Sequence, residues 1–290
     1  MQFADPRTDF AFKLIFGNDK AKEVLISFLN AVLGLEGIHA IAEVTILNPY
    51  QAPKISTLKR SYLDVKCRDN RGVEFVVEMQ VEYTEGLKKR IEYNACKAYV
   101  GQIPVGTDYP KLNQVIAITI VDFIMFKGFE HYLSCHESRE TITNNHYLDQ
   151  IRHYIIELPK FTKTEAELET MIEKWCYFIK HAGRLEVIPA KLDHEPLRTA
   201  FGIANRANMT KEEWEVYDAA GVKMQDERGI AIAARKEGWQ EGMQEGEQKG
   251  EQKGEQKGKQ GVALVMRQKG YDLNVISELT GLTVEEIKKM

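Results

Sequence analysis

Asp64, Glu78 and Gln80 have the residue types and spacing from which a protein builds a small divalent-metal site. They lie in two runs that alternate apolar and polar residues, 61–69 (SYLDVKCRD) and 73–83 (VEFVVEMQVEY). Side chains alternate faces along a strand. In the second run Val73, Phe75, Val77, Met79, Val81 and Tyr83 form one apolar face, and Glu74, Glu78, Gln80 and Glu82 share the other with Val76. In the first, Leu63, Val65 and Cys67 face one way and Tyr62, Asp64, Lys66 and Arg68 the other. A pair of carboxylates on neighbouring strands supplies the hard oxygen donors that such an ion takes. The ion lowers the pKa of a bound water and neutralises a phosphate, which is the chemistry of phosphodiester cleavage.

The connection must set the register that brings the acids together. If Asn70, Arg71 and Gly72 form a loop closed by glycine in the left-handed region, the runs make a hairpin with a glycine bulge. The register that opposes Asp69 to Val73 then also opposes Asp64 to Glu78. Directly opposed Cβ atoms are roughly 4.5–5.5 Å apart, close enough for two carboxylates to share an ion. A loop one residue shorter or longer sends the acids to opposite faces. The competing reading is a strand whose polar face is merely solvated. Against it stands the crowding of acids and amides with few basic partners, which a bound cation relieves.

Composition bounds the rest. The chain has 290 residues, 43% hydrophobic and 28% charged, enough for one large domain or one domain with appendages. A net charge of −4 gives no bulk attraction to nucleic acid, so any DNA contact rests on a local patch. Lys88-Lys89-Arg90 is one candidate, and Lys54, Lys59 and Arg60 form another. Cys67, Cys96, Cys135 and Cys176 form no Cys-x-x-Cys pair, which argues against a zinc ribbon. The first residues lack the pattern of a signal peptide, and no apolar run approaches a membrane span. A cytoplasmic protein with reduced thiols is expected.

The periodicity predicts a short helix over 9–17 stopped by glycine, a helix over 20–33, a strand over 41–47, the hairpin, a helix over 88–102 and a buried strand over 114–123. That order is a mixed α/β core. Further on, 131–139 and 150–158 suggest strands, 164–181 and 211–224 suggest helices, and 182–208 has too little periodicity to assign. From Gly238 to Gly258 glycine recurs every four residues. Glycines in a helix lose about 1 kcal/mol each relative to alanine, partly offset by closely spaced Glu and Lys. A frayed helical or disordered linker is expected, with self-association through the glycine stripe as the alternative. After it, Val262, Leu264, Val265 and Met266, then Leu273, Val275, Ile276 and Leu279, then a Thr283/Glu286 capping box suggest three short helices. So small a tail buries little area alone and suits docking or homo-oligomerisation. The expected organisation is 1–225 (core about 8–125), a linker over 226–261 and a tail over 262–290.

Asp64 with Glu78-x-Gln80, preceded by DFAFKLIFG and followed by a tyrosine-bearing helix and a buried strand, resembles the recombination-promoting nuclease and transposase family of the PD-(D/E)xK nuclease superfamily. The glycine repeat and helical tail look like that family's C-terminal appendage. The resemblance implies a restriction-endonuclease-like fold, a mixed sheet flanked by helices, and DNA cleavage that depends on Mg2+ or, as a substitute, Mn2+. It gives Asp64 and Glu78 as metal ligands and Gln80 at the position where much of the superfamily has lysine. Glutamine offers hydrogen bonds but no charge; Lys66, on the same face as Asp64, is the expected source of that charge. Asp9 and Lys13 fall in the matched N-terminal motif and are expected to support the site, as are Tyr93 and Gln102 on the following helix. The implied activity is a metal-dependent DNA endonuclease connected with recombination or mobile elements. The alternative is a relative that has lost catalysis and acts as an oligomeric DNA- or protein-binding module.

Overall fold

The computed structural model describes residues 2–51, 61–103 and 108–290. The basic group Lys54, Lys59 and Arg60 lies outside them. Two compact units divide the chain, Met1–Arg228 and Gly229–Met290.

The first unit begins with α1 (Asp9–Phe16). Thr8 caps it by accepting from the Ala11 N–H, and the Gly17 N–H closes it on the Lys13 carbonyl. Ala11, Phe12, Ile15 and Phe16 are buried, so Asp9 and Lys13 share the opposite side, one turn apart. Helix α2 (Lys22–Leu33) follows and ends on Gly34 in the left-handed conformation. The strands are β1 (Val44–Ile46), β2 (Tyr50–Gln51), β3 (Ser61–Tyr62), β4 (Val65–Asp69) and β5 (Glu74–Gln80). Then come α3 (Leu87–Val100), β6 (Val115–Val121), β7 (Leu133–His136), β8 (Ile151–Glu157), α4 (Met171–His181) and α5 (Leu197–Ala204). The stretch 182–208, which shows no period, is made of short 3-10 turns around α5.

Among the described residues the main sheet has six strands in the order β1-β4-β5-β6-β8-β7. Its centre is parallel, β5 with β6 and β6 with β8; the remaining pairs are antiparallel. Every residue of β6 is buried, as a strand covered on both faces must be. One face carries the large core, in which Phe75, Val77, Met79, Ile116 and Ile118 meet Phe12, Phe16, Phe28, Trp175 and Phe178. The other face is covered by α3: Ala95 and Ala98 pack on Val76, Val115 and Ala117, while Leu87 and Ile91 pack on Val121, Phe123 and Ile155. This mixed sheet with helices on both faces is the α/β, restriction-endonuclease-like architecture that the sequence suggests. The N-terminus is held by Arg7, which binds Asp5 and reaches Asp122 just beyond β6 at 3.0 Å.

The β4–β5 hairpin has the register read from its turn. Val65 pairs with Val77 and Cys67 with Phe75. Gly72 has φ +91°, a conformation that strongly favours glycine, and an added Cβ would lie 2.7 Å from the Asn113 amide oxygen and displace that side chain. Asp69 builds the turn by accepting from the N–H groups of Arg71 and Val73, both at 2.9 Å.

Two details of the strand reading need correction. The run 61–69 is not one strand, because the chain bends at Asp64. The Asp64 Oδ2 accepts the Met79 N–H at 2.8 Å, taking the place of a ladder carbonyl, and the strand breaks there. Leu63 therefore joins the α3 side with Val76 and Ala95, while Val65 and Cys67 enter the large core. Tyr83 likewise leaves the apolar face of β5: the strand ends at Gln80, and the Tyr83 ring packs edge-on against Phe123, with centroids 5.7 Å apart.

In the second unit, the glycine repeat lies within one continuous helix, α6 (Lys211–Gln268), which begins in the first unit. Glu245–Lys249 at 2.8 Å and Glu255–Lys259 at 2.6 Å are spaced i,i+4 with the acid first, the favourable order. Helices α7 (Leu273–Thr280) and α8 (Val284–Lys289) complete the unit, and the Thr283/Glu286 capping box forms. Its small core is Ala263, Ile276, Leu282 and Ile287. Val262, Leu264, Val265, Val275 and Leu279, whose spacing suggests the helices, are exposed. Among the described residues no helix is long and apolar enough to cross a membrane.

Candidate active site

The open end of the hairpin and the first turns of α3 enclose a cleft of about 590 Å³. Asp64, Glu78 and Gln80 line it together, joined by Tyr62, Lys89, Arg90, Tyr93 and Asn94. The bend at Asp64 places one carboxylate there; β5 places the other two side chains, which alternate onto the α3 face. The polar face of the hairpin is therefore not a solvated one, because α3 covers it. Glu74 is 1% exposed and Glu78 5%.

Each acid has a limited set of partners. Asp64 accepts the Met79 N–H through Oδ2, and Lys13 Nζ stands 3.6 Å from Oδ1. Lys13 is itself 2.6 Å from Asp9, so α1 delivers an acid–lysine pair to the edge of the site. Glu78 accepts through Oε1 from Asn94 Nδ2 at 2.7 Å. Burial drives the Asp64 carboxyl up to about 7; the Met79 N–H and Lys13 oppose this, while Asp9 and Glu78 add to it. Burial also raises Glu78, against the pull of Asn94 and Arg90. For Lys13, burial works against the charged form, but Asp9 and Asp64 outweigh it and the ammonium is held above its ordinary value.

The other expected residues fall on both sides of the cleft's boundary. Gln80 lines it and accepts a hydrogen bond from Arg90 Nη2. Tyr93 lines it and is 41% exposed. Lys66 is not brought to Asp64: its Nζ pairs with Glu74 at 3.0 Å, beside Arg68 at 2.5 Å on the other oxygen. Lys66 lies nearer the turn than Asp64, and Glu74 takes its ammonium. Gln102 is not on α3 but two residues beyond its end, where it exchanges hydrogen bonds with the Asn113 backbone and ties that end to the segment before β6. The basic run separates by helical rotation: Lys88 covers the Phe126 ring, Lys89 lines the cleft, and Arg90 reaches Gln80.

Arg90 and Asn94 are the residues that strand periodicity misses. Their signal is the one-turn spacing on a helix that must cross over β5 to reach the parallel strand β6. Among the described residues no group of three or more His, Cys, Asp or Glu is placed to hold a metal ion. The donor set is smaller and still fits a hard cation. Mg2+ is commonly held by one or two carboxylates, with waters and substrate phosphates filling the remaining positions. Two mutually repelling carboxylates, Glu78 buried and Asp64 partly so, meet that requirement at an open cleft.

A family model, PD-(D/E)XK nuclease family transposase, matches residues 6–233. The match contains α1, the whole sheet and α3 to α5, and the chain belongs to this family. Neither a curated protein nor a solved structure matches it. Membership supports a nuclease- or transposase-related role, with DNA as the substrate such a family suggests and a divalent metal as the cofactor its superfamily generally uses.

Proposed function

We propose that this member of the PD-(D/E)XK nuclease family is a Mg2+-dependent endodeoxyribonuclease, with Asp64 and Glu78 as its metal ligands. The observation that carries the reading is the convergence of these two carboxylates on one cleft, where burial raises both carboxyls despite Lys13 and Arg90. When bound, Mg2+ would supply charge to the phosphate and acidity to a water.

The protein's own groups supply the remaining functions. The Met79 N–H holds Asp64 by one oxygen and leaves Oδ1 beside Lys13. Asn94 orients Glu78 in the same way from α3. Gln80 offers its amide to the phosphate or to the attacking water. Lys89 and Tyr93 border the cleft and suit a nucleic-acid backbone and a base, respectively. Association with mobile elements accords with the family description, a nuclease family transposase; a part in recombination is the finer role this reading adds, and the small helical unit at the C-terminus suits homo-oligomerisation.

Purified full-length protein incubated with supercoiled plasmid and Mg2+ tests the assignment. Nicking or linearisation that EDTA stops, and that Asp64→Ala and Glu78→Ala both lack, is the expected result. No cleavage with either Mg2+ or Mn2+ would sink it and favour a binding module that has lost catalysis.

A further inference from the structure

Gln80 stands where a lysine would carry charge, and Lys66 is committed to Glu74; among the described residues the cations left at the site are Lys89 and Arg90 in the cleft and Lys13 at its edge. The side-chain contact at Gln80 points to one of them. Arg90 Nη2 donates to Gln80 Oε1. A guanidinium has five donors and no acceptor, so the amide oxygen must be the atom that faces it. The NH2 is then the end of the amide turned away from Arg90, on a side chain that lines the cleft. Arg90 also acts on Glu78, whose carboxylate it favours.

The helix fixes this arrangement. Leu87 and Ile91 bury α3 against Val121 and Phe123, and Asn94, one turn beyond Arg90 and 5% exposed, is bonded to Glu78. Arg90 and Asn94 thus address Gln80 and Glu78 from adjacent turns of one helix face.

We infer that Arg90 is the positioning residue that replaces the missing lysine: it holds the Gln80 amide as a donor toward the cleft and sets a guanidinium charge behind it, so that the scissile phosphate meets the donor and the charge together. The inference rests on the nuclease reading and deepens it. A preorganised donor aimed at developing charge contributes on the order of 10²–10³-fold to a rate, and the same scale applies here.

The experiment compares plasmid cleavage in Mg2+ by wild type, Asp64→Ala, Arg90→Met, Gln80→Lys and the double variant Arg90→Met/Gln80→Lys, with Mn2+ affinity and thermal melting measured for each. Arg90→Met is expected to slow cleavage by on the order of 10²-fold with Mn2+ affinity retained. Gln80→Lys alone is expected to impair the enzyme, because its ammonium meets Arg90. The double variant, with the charge moved onto position 80, is expected to recover most of the rate lost in Arg90→Met. A merely structural Arg90 would show no such reciprocal rescue. If Arg90→Met melts below the assay temperature, Arg90→Gln keeps a donor for Gln80 without charge, and the same loss is expected. Wild-type cleavage that Asp64→Ala abolishes but Arg90→Met retains overturns this inference alone, as does a double variant no faster than Arg90→Met. A wild type that does not cleave overturns the nuclease reading and this inference with it.

Discussion

Glu74 and Glu78 leave the same strand on the same face, and both are buried, but they occupy opposite electrostatic situations. At the turn end, Glu74 holds Lys66 at 3.0 Å and Arg68 at 2.5 Å, while nearby Asp69 holds Arg71 at 2.7 Å. At the open end, Glu78 has the neutral amide of Asn94 as its direct hydrogen-bond donor and a second, partly buried acid, Asp64, nearby. A buried charge that is paired is a structural element; one left short of partners is costly, and proteins retain such groups where they bind or react. One hairpin thus contains a neutralised half that holds the turn and an under-neutralised half suited to a cation.

The comparison is sharpest when the two acids are changed alike. Glu78→Gln preserves volume but removes a ligand charge, and cleavage is expected to fall on the order of 10³-fold, a few kcal/mol of lost metal-assisted stabilisation. Glu74→Gln is expected to leave cleavage per folded molecule near wild type. It should instead reduce stability by about 3 kcal/mol, the lower end for a broken buried pair, because Arg68 stays hydrated. Plasmid assays normalised to active protein, with urea denaturation alongside, measure both. Equal loss of activity in the two variants would break the distinction.

Much of this was legible in the sequence, for a definite reason. Glycine at 72 admits one class of turn, and turn length sets the register, so the Val65–Val77 pairing follows from three residues. What failed was long-range. The bend at Asp64 depends on a side chain replacing a backbone acceptor for Met79, which period-2 alternation does not encode, and alternation names a face but not which acid on it Lys66 pairs with, here Glu74. The role of α3 as a lid over the polar face depends on the β5–α3–β6 crossover, which local pattern only hints at. For the same reason Arg90 reads in sequence as one residue of a basic run rather than as a partner of Gln80.

The open half should also respond to pH. The Asp64 carboxyl titrates at about 7 in the fold against 3.8 as its ordinary value. Between those values the folded protein holds a proton that the unfolded chain has released. Its contribution to the stability of metal-free protein is therefore full below about pH 4 and is lost as pH rises through 7. Between pH 5 and pH 7 the loss amounts to about 2 kcal/mol, and Asp64→Asn, which does not titrate, is expected to flatten that slope. Mg2+ takes the ionised form, so its stabilising effect should grow from pH 6 to pH 8. Melting curves across this range, with EDTA or Mg2+, provide the check; a slope unchanged in Asp64→Asn would place the raised carboxyl elsewhere.

The smallest effect concerns how far positive charge at the rim matters. Lys13 is 40% exposed and divides its ammonium between Asp9 and Asp64, so its pull on the site is screened. Lys13→Ala is expected to slow cleavage roughly fivefold, the equivalent of about 1 kcal/mol, without weakening Mn2+ binding, since it removes a cation that competes for Asp64. Asp9→Ala should change less, because Lys13 can still face Asp64 and gains freedom to do so. The ranking against Arg90 is what matters. A Lys13→Ala loss as large as that of Glu78→Gln, with the Arg90 variants active, would make the N-terminal helix the source of the charge and reduce the α3 contact to scaffolding. A modest loss leaves the under-neutralised end of the hairpin dependent on the helix that covers it.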